Sequence, residues 1–107
     1  MSDGLSTSWV LQSSIMSLGS FYYVYVLQNE NGNWYTGCTS DLEKRLKDHG
    51  NGRSNHTRVR GPYHLIYYEA CMNSKDAYNR EKYLKTGIGK RYLKNRLKLH
   101  LQGAIKA

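Results

Sequence analysis

Acidic residues are scarce in this chain and absent beyond Glu81, where Lys82, Lys85, Lys90, Arg91, Lys94, Arg96, Lys98 and Lys106 follow. With 16 Lys and Arg against 8 Asp and Glu, the formal charge is +8. Charge so one-sided draws polyanions and favours salt-sensitive phosphate binding, with a basic helix kept for solubility as the bland alternative. Cysteine is nearly missing. Cys38 and Cys71 are the only two and show no Cys-x-x-Cys or Cys/His spacing, which excludes a zinc motif and a disulfide framework and suits a reducing cytoplasm. No apolar run approaches the roughly 20 residues that span a bilayer, so no membrane partner is expected. Residues 1–20 are serine-rich but lack the positive n-region and cleavage site of a signal peptide. They are expected to be a disordered leader or a vector remnant, with Met16 an alternative start. One small domain over 21–101 and a tail over 102–107 remain, a size at which roughly 60–65% of the unfolded surface can be buried.

What is present is tyrosine in strand-like settings. Tyr23-Val24-Tyr25-Val26-Leu27 and Trp34-Tyr35-Thr36-Gly37-Cys38-Thr39 alternate and carry β-branched residues, and Asn31-Gly32 between them suits positive φ, so a β-hairpin is predicted. Both faces of its first strand are apolar, which requires a sheet covered on both sides. Ser40-Asp41-Leu42-Glu43 has the form of a capping box and starts a helix from about Asp41 to His49. That helix puts Leu42, Arg45, Leu46 and His49 on one face. An Arg and a His facing a sheet need partners or solvent, and a shared cleft supplies both.

A Gly- and Asn-rich basic loop follows, in which Arg53, Arg58 and Arg60 are either a phosphate clamp or a soluble connection. A third strand is predicted over His64–Ala70 and a helix over Lys75–Lys85, capped by Asn73 or Ser74. In that helix Glu81 occupies the apolar stripe between Ala77 and Leu84, where a lone carboxylate is costly unless a cation meets it. Two readings are open: a salt bridge to Arg80 or Lys85, or a metal ligand in a cleft. Gly87 is expected to cap this helix, and a basic last helix over Arg91–Leu101 carries Leu93, Leu97 and Leu101, with Lys90 and Arg91 at its start as phosphate contacts.

The order of these elements resembles the GIY-YIG nuclease superfamily, with Tyr23-Val24-Tyr25 in place of Gly-Ile-Tyr and Tyr35-Thr36-Gly37 in place of Tyr-Ile-Gly. Its small single-domain bacterial members are similar to the nuclease module of the bacterial excinuclease. The resemblance covers most of residues 21–98 and implies an α/β (α+β) fold: a small three-stranded antiparallel sheet flanked by helices. It further implies a divalent-metal-dependent endonuclease acting on DNA. Tyr25 would be the general base, Tyr35 its orienting partner or a phosphate hydrogen-bond donor, Arg45 a bidentate phosphate ligand, and His49 an acceptor of the Tyr25 proton or a donor to phosphate. Glu81 would hold one Mg²⁺ or Mn²⁺, and Asn95 would contribute from the last helix. A free phenol is a poor base, so Tyr25 requires nearby cations to lower its pKa. Cys38 departs from the excinuclease pattern, which has Lys there. No added DNA-binding domain is seen, so low sequence specificity and a repair or recombination role are implied, with a non-catalytic nucleic-acid-binding module as the alternative.

Overall fold

The computed structural model describes residues 21–50 and 62–106. The expected leader and the loop cations Arg53, Arg58 and Arg60 lie outside them. Three strands, β1 (Tyr22–Asn29), β2 (Trp34–Thr39) and β3 (Tyr63–Cys71), form an antiparallel sheet in the order β2-β1-β3. The helices are α1 (Leu42–Gly50), α2 (Ser74–Leu84), α3 (Gly87–Arg96) and α4 (Lys98–Lys106). The fold is therefore the expected α+β arrangement.

β1 is the central strand, and Val24, Tyr25, Val26 and Leu27 are all buried, as two apolar faces require. Val24 and Val26 pack on Ala77 and Leu84 of α2 and Leu93 of α3, with Trp34, Ile66 and Tyr67 at the margin. Tyr25 points to the opposite face, where α1 lies. The hairpin turn is tied by Asn29, whose Oδ1 accepts from the amides of Asn31 and Asn33 at 3.0 and 2.9 Å. Gly32 takes the left-handed conformation there, φ +83°. A bulge between Val26 and Leu27 shifts the β1–β3 register, pairing Val26 with Tyr67 but Leu27 with Leu65.

Three local expectations are corrected. The α1 cap is Asp41 rather than Ser40: Thr39 Oγ1 takes the Asp41 amide at 3.0 Å, and Asp41 Oδ1 accepts from Lys44 N at 3.1 Å. Asp and Ser cap about equally well, so the turn leaving β2 decides. Asn73 caps α2 as expected, accepting from Lys75 and Asp76. Gly87, however, is no C-terminal cap; it begins α3, whose own cap is Thr86, accepting from Gly89 at 3.1 Å. The glycine that matters here is Gly89. A Cβ on it would stand 2.7 Å from Leu84 Cα, so α3 starts directly against the end of α2. The last helix is also broken at Leu97 (φ −104°, ψ 20°), which leaves Leu93 buried and Leu97 and Leu101 only half-buried.

Candidate active site

Tyr25 sits opposite Gly37 in the β1–β2 register. Its ring lies over the Gly37 backbone so closely that a Cβ there would be 2.5 Å from the hydroxyl and 2.6 Å from Cζ. Glycine at this point of the second tyrosine motif is thus space for the phenol of the first.

The hydroxyl emerges beside α1 and lies 3.2 Å from Nε2 of His49, which is itself 8% exposed. With Nε2 unprotonated, Tyr25 donates to it. Tyr35 closes the group: its ring is 5.1 Å from the His49 imidazole and 6.3 Å from Tyr25, and Tyr63 stacks edge-on behind it at 6.5 Å. One turn back on α1, Arg45 is exposed at the rim, near enough for its guanidinium to favour the ionised form of Tyr25. Glu81 lies on α2; its side chain is 15% exposed and its charge acts on both Tyr25 and Cys38. Tyr25, Tyr35 and His49 are therefore brought together from β1, β2 and α1, with Arg45 one turn away on α1, while Glu81 acts on Tyr25 from α2 through its charge alone.

The electrostatics correct one expectation. Burial pushes the Tyr25 phenol far above its ordinary value of 10, the neighbouring Tyr35 adds to this, and Arg45 offsets only part. With the protein's own groups alone Tyr25 is a neutral phenol, not a depressed one. Burial and Glu81 likewise push the Cys38 thiol up, so it carries no charge where the excinuclease pattern has a cation.

Glu81 is held by Lys85 Nζ at 2.9 Å, one helical turn on. Arg80, the other partner offered by sequence, turns instead to Glu69 of β3, with Nε at 3.0 and 3.1 Å and Nη2 at 2.9 Å. Tyr67 donates to the same carboxylate at 2.8 Å, and the guanidinium lies over the rings of Tyr92 and Tyr83 at 4.9 and 5.4 Å. Sequence reasoning missed this network, because the pairing that sets Glu69 opposite Val24 is a long-range β1–β3 register with no local sequence signature. Lys90, Arg91 and Asn95 are exposed on α3, and the Asn95 side chain makes no hydrogen bond among the described residues.

Among the described residues no three His, Cys, Asp or Glu side chains gather as a metal cage. A single carboxylate is nonetheless enough for Mg²⁺, which keeps most of its waters. Glu81 fits that role: it is largely shielded, and its present counter-ion is the end of a half-exposed, flexible lysine that can swing away.

Residues 21–92 match the family model described as the GIY-YIG catalytic domain. The chain is 47% identical over 64 residues to a UPF0213 protein of Clostridium perfringens, spanning 59% of this chain and 69% of the relative. It is 35% identical over 74 residues to a UPF0213 protein of Staphylococcus saprophyticus, spanning 68% of this chain and 90% of the relative. The solution NMR structure of a UPF0213 protein from Bacillus halodurans is 36% identical, with a TM-score of 0.44, covering 68% of this chain and 81% of that one.

Proposed function

The chain belongs to the GIY-YIG catalytic-domain family, and from that premise we propose that it is a divalent-metal-dependent endonuclease. Its substrate is DNA, cut at structured or single-stranded sites with little sequence specificity, in repair or recombination in the cytoplasm. The observation that carries the reading is the Tyr25 hydroxyl, buried and 3.2 Å from His49 Nε2, where the charges of Arg45 and Glu81 both act on it.

Each residue then has a task. Arg45, exposed at the rim, grips two non-bridging phosphate oxygens through its planar fork. Tyr25 takes a proton from the attacking water as its own hydroxyl proton passes to His49 Nε2, so no free phenolate is needed in the resting protein. The water oxygen bonds to phosphorus as the bond to the 3′ oxygen breaks. Tyr35 packs edge-on against the imidazole, and Tyr63 packs edge-on against Tyr35 behind it. Mg²⁺ or Mn²⁺ held by Glu81 supplies neutralisation of charge on the phosphate and the leaving oxygen.

The test is nicking of labelled flap, branched, single-stranded and duplex DNA with Mg²⁺, Mn²⁺ or EDTA. Cleavage with metal and none in EDTA is expected. Binding without cleavage under every condition would replace the nuclease by a nucleic-acid-binding module.

A further inference from the structure

We propose that the groove between the start of α1 and the outer strand β3 receives an unpaired nucleobase beside the phosphate to be cut, a site that rests on the nuclease reading above. Tyr68 of β3 is the cross-strand partner of Tyr25 and so shares its sheet face, yet it is 53% exposed. Tyr23, two residues before Tyr25, lies on that face too, and its ring is 6.1 Å from that of Tyr68 at a tilt of 58°. These two rings and Leu42, Leu46, Asp41 and Glu43 line a groove of about 590 Å³, within the size range of ligand sites. Arg45 and His49 lie on the same helix as Leu42 and Leu46, so the groove and the Tyr25 cluster share a wall. Two residues of extended strand advance roughly 6.6 Å, so even at the ~3.4 Å spacing of a duplex strand, the tightest a strand adopts, the base sits within two nucleotides of the scissile phosphate.

Charge selects the occupant. In a chain of net charge +8 this groove is walled by two carboxylates, which repel phosphate. Asp41 spends one oxygen on the Lys44 amide, and the Glu43–Lys47 pair is loose at 3.9 Å with both ends well exposed. Both carboxylates can accept from the exocyclic amines that adenine, cytosine and guanine carry on their edges. The phenol rings add a stacking platform that tolerates any base. A base inside a duplex is already paired and stacked and cannot enter, so the groove favours flaps and single strands.

The test is affinity in EDTA, measured by fluorescence anisotropy with flap and duplex DNA, a ribo-flap, and flaps carrying one abasic site moved stepwise past the junction. Tyr68→Ala should weaken flap binding about 5- to 150-fold, what one stacked base contributes, and leave duplex binding unchanged. An abasic site at one position within two nucleotides of the cut should erase that difference. Tyr68→Phe, which keeps the ring, should bind as the parent does, and melting curves should show all variants folded. The deoxy and ribo flaps tell which nucleic acid supplies the base. Tyr68→Ala that binds flaps as tightly as the parent, or loses affinity equally for duplex and abasic DNA, overturns the groove while cleavage by the parent leaves the nuclease standing. A parent that neither binds nor cuts removes both.

Discussion

A Cβ placed on Gly37 would stand 2.5 Å from the Tyr25 hydroxyl, which makes the two residues a fitted pair across the hairpin. Gly37→Ala must therefore tilt the phenol or part the strands, and either movement breaks the 3.2 Å bond to His49. The expected cost is about 1–3 kcal/mol of stability, typical of overpacking. Nicking should fall at least ~10-fold further than the lost folded fraction explains, since each ~1.4 kcal/mol of transition-state stabilisation is tenfold in rate. An alanine variant with the parent's melting temperature and rate would show that the close approach is dispensable.

The close packing of Tyr25 on Gly37 is what the alternation of both strands leads to, but its consequence for acidity is not legible in the sequence. Spacing alone places Arg45 and His49 on one face of α1 and Glu81 in the stripe of α2, because these are repeats within a single element. The i,i+4 partner of Glu81, Lys85, is visible for the same reason. What sequence cannot show is how far burial of Tyr25 outweighs one exposed guanidinium, or that Arg80 bonds to Glu69 eleven positions away. That pair depends on the β1–β3 register, which sets Glu69 opposite Val24 on the sheet face that α2 covers. Helix ends escape sequence reading where neighbouring residues compete, as at Ser40 and Asp41, or where tertiary packing decides, as at Gly89.

Glu69 links stability to acid pH. Burial alone would raise its carboxyl, but the bonds from Arg80 and Tyr67 prevail and hold it below the ordinary 4.5. A depressed folded value contributes stability that is present above 4.5 and is lost as pH falls through the folded value. Melting temperature should drop between about pH 5 and 3, around the ordinary carboxylate range of roughly 4, and less steeply in Glu69→Gln. Arg80→Ala, which strands the partly buried carboxylate, should cost about 1–3 kcal/mol at neutral pH. Equal acid sensitivity in parent and Glu69→Gln would assign the drop to other groups.

At the alkaline end Tyr25 acts in the opposite sense. Its folded pKa is raised, so the stability it contributes is complete below pH 10 and is lost as pH rises beyond that. Tyr25→Phe should remain folded, show a shallower loss of stability above pH 10 than the parent, and have no measurable nicking. Alkaline denaturation followed by circular dichroism checks the first point. Retained nicking would remove Tyr25 from the proton path.

Lys90 and Arg91 are exposed at the start of α3, in the segment that carries no acidic residue. If they bind phosphates, affinity for duplex DNA should fall linearly on logarithmic axes as salt rises. Replacing both with Gln should weaken binding at low salt and flatten that line by about 0.9 for each phosphate no longer neutralised. A double variant with the parent's slope would place the phosphate-tracking surface elsewhere.

Glu81 and Lys85 supply the sharpest separation between a structural and a catalytic role. The pair is an i,i+4 bridge with a half-exposed lysine, worth about 0.3–0.5 kcal/mol, so Glu81→Gln should hardly move the melting temperature. It should nonetheless abolish nicking and Mn²⁺ binding measured by calorimetry, while DNA affinity in EDTA persists through the Lys and Arg side chains. Lys85→Ala should do the reverse. Removing the cation that now occupies the carboxylate should tighten Mn²⁺ binding and lower the metal concentration needed for half-maximal cleavage. A purely structural pair predicts that both substitutions lower stability together and leave metal dependence unchanged. Opposite shifts in metal affinity, with stability held, are what a single-carboxylate metal site guarded by its own lysine requires.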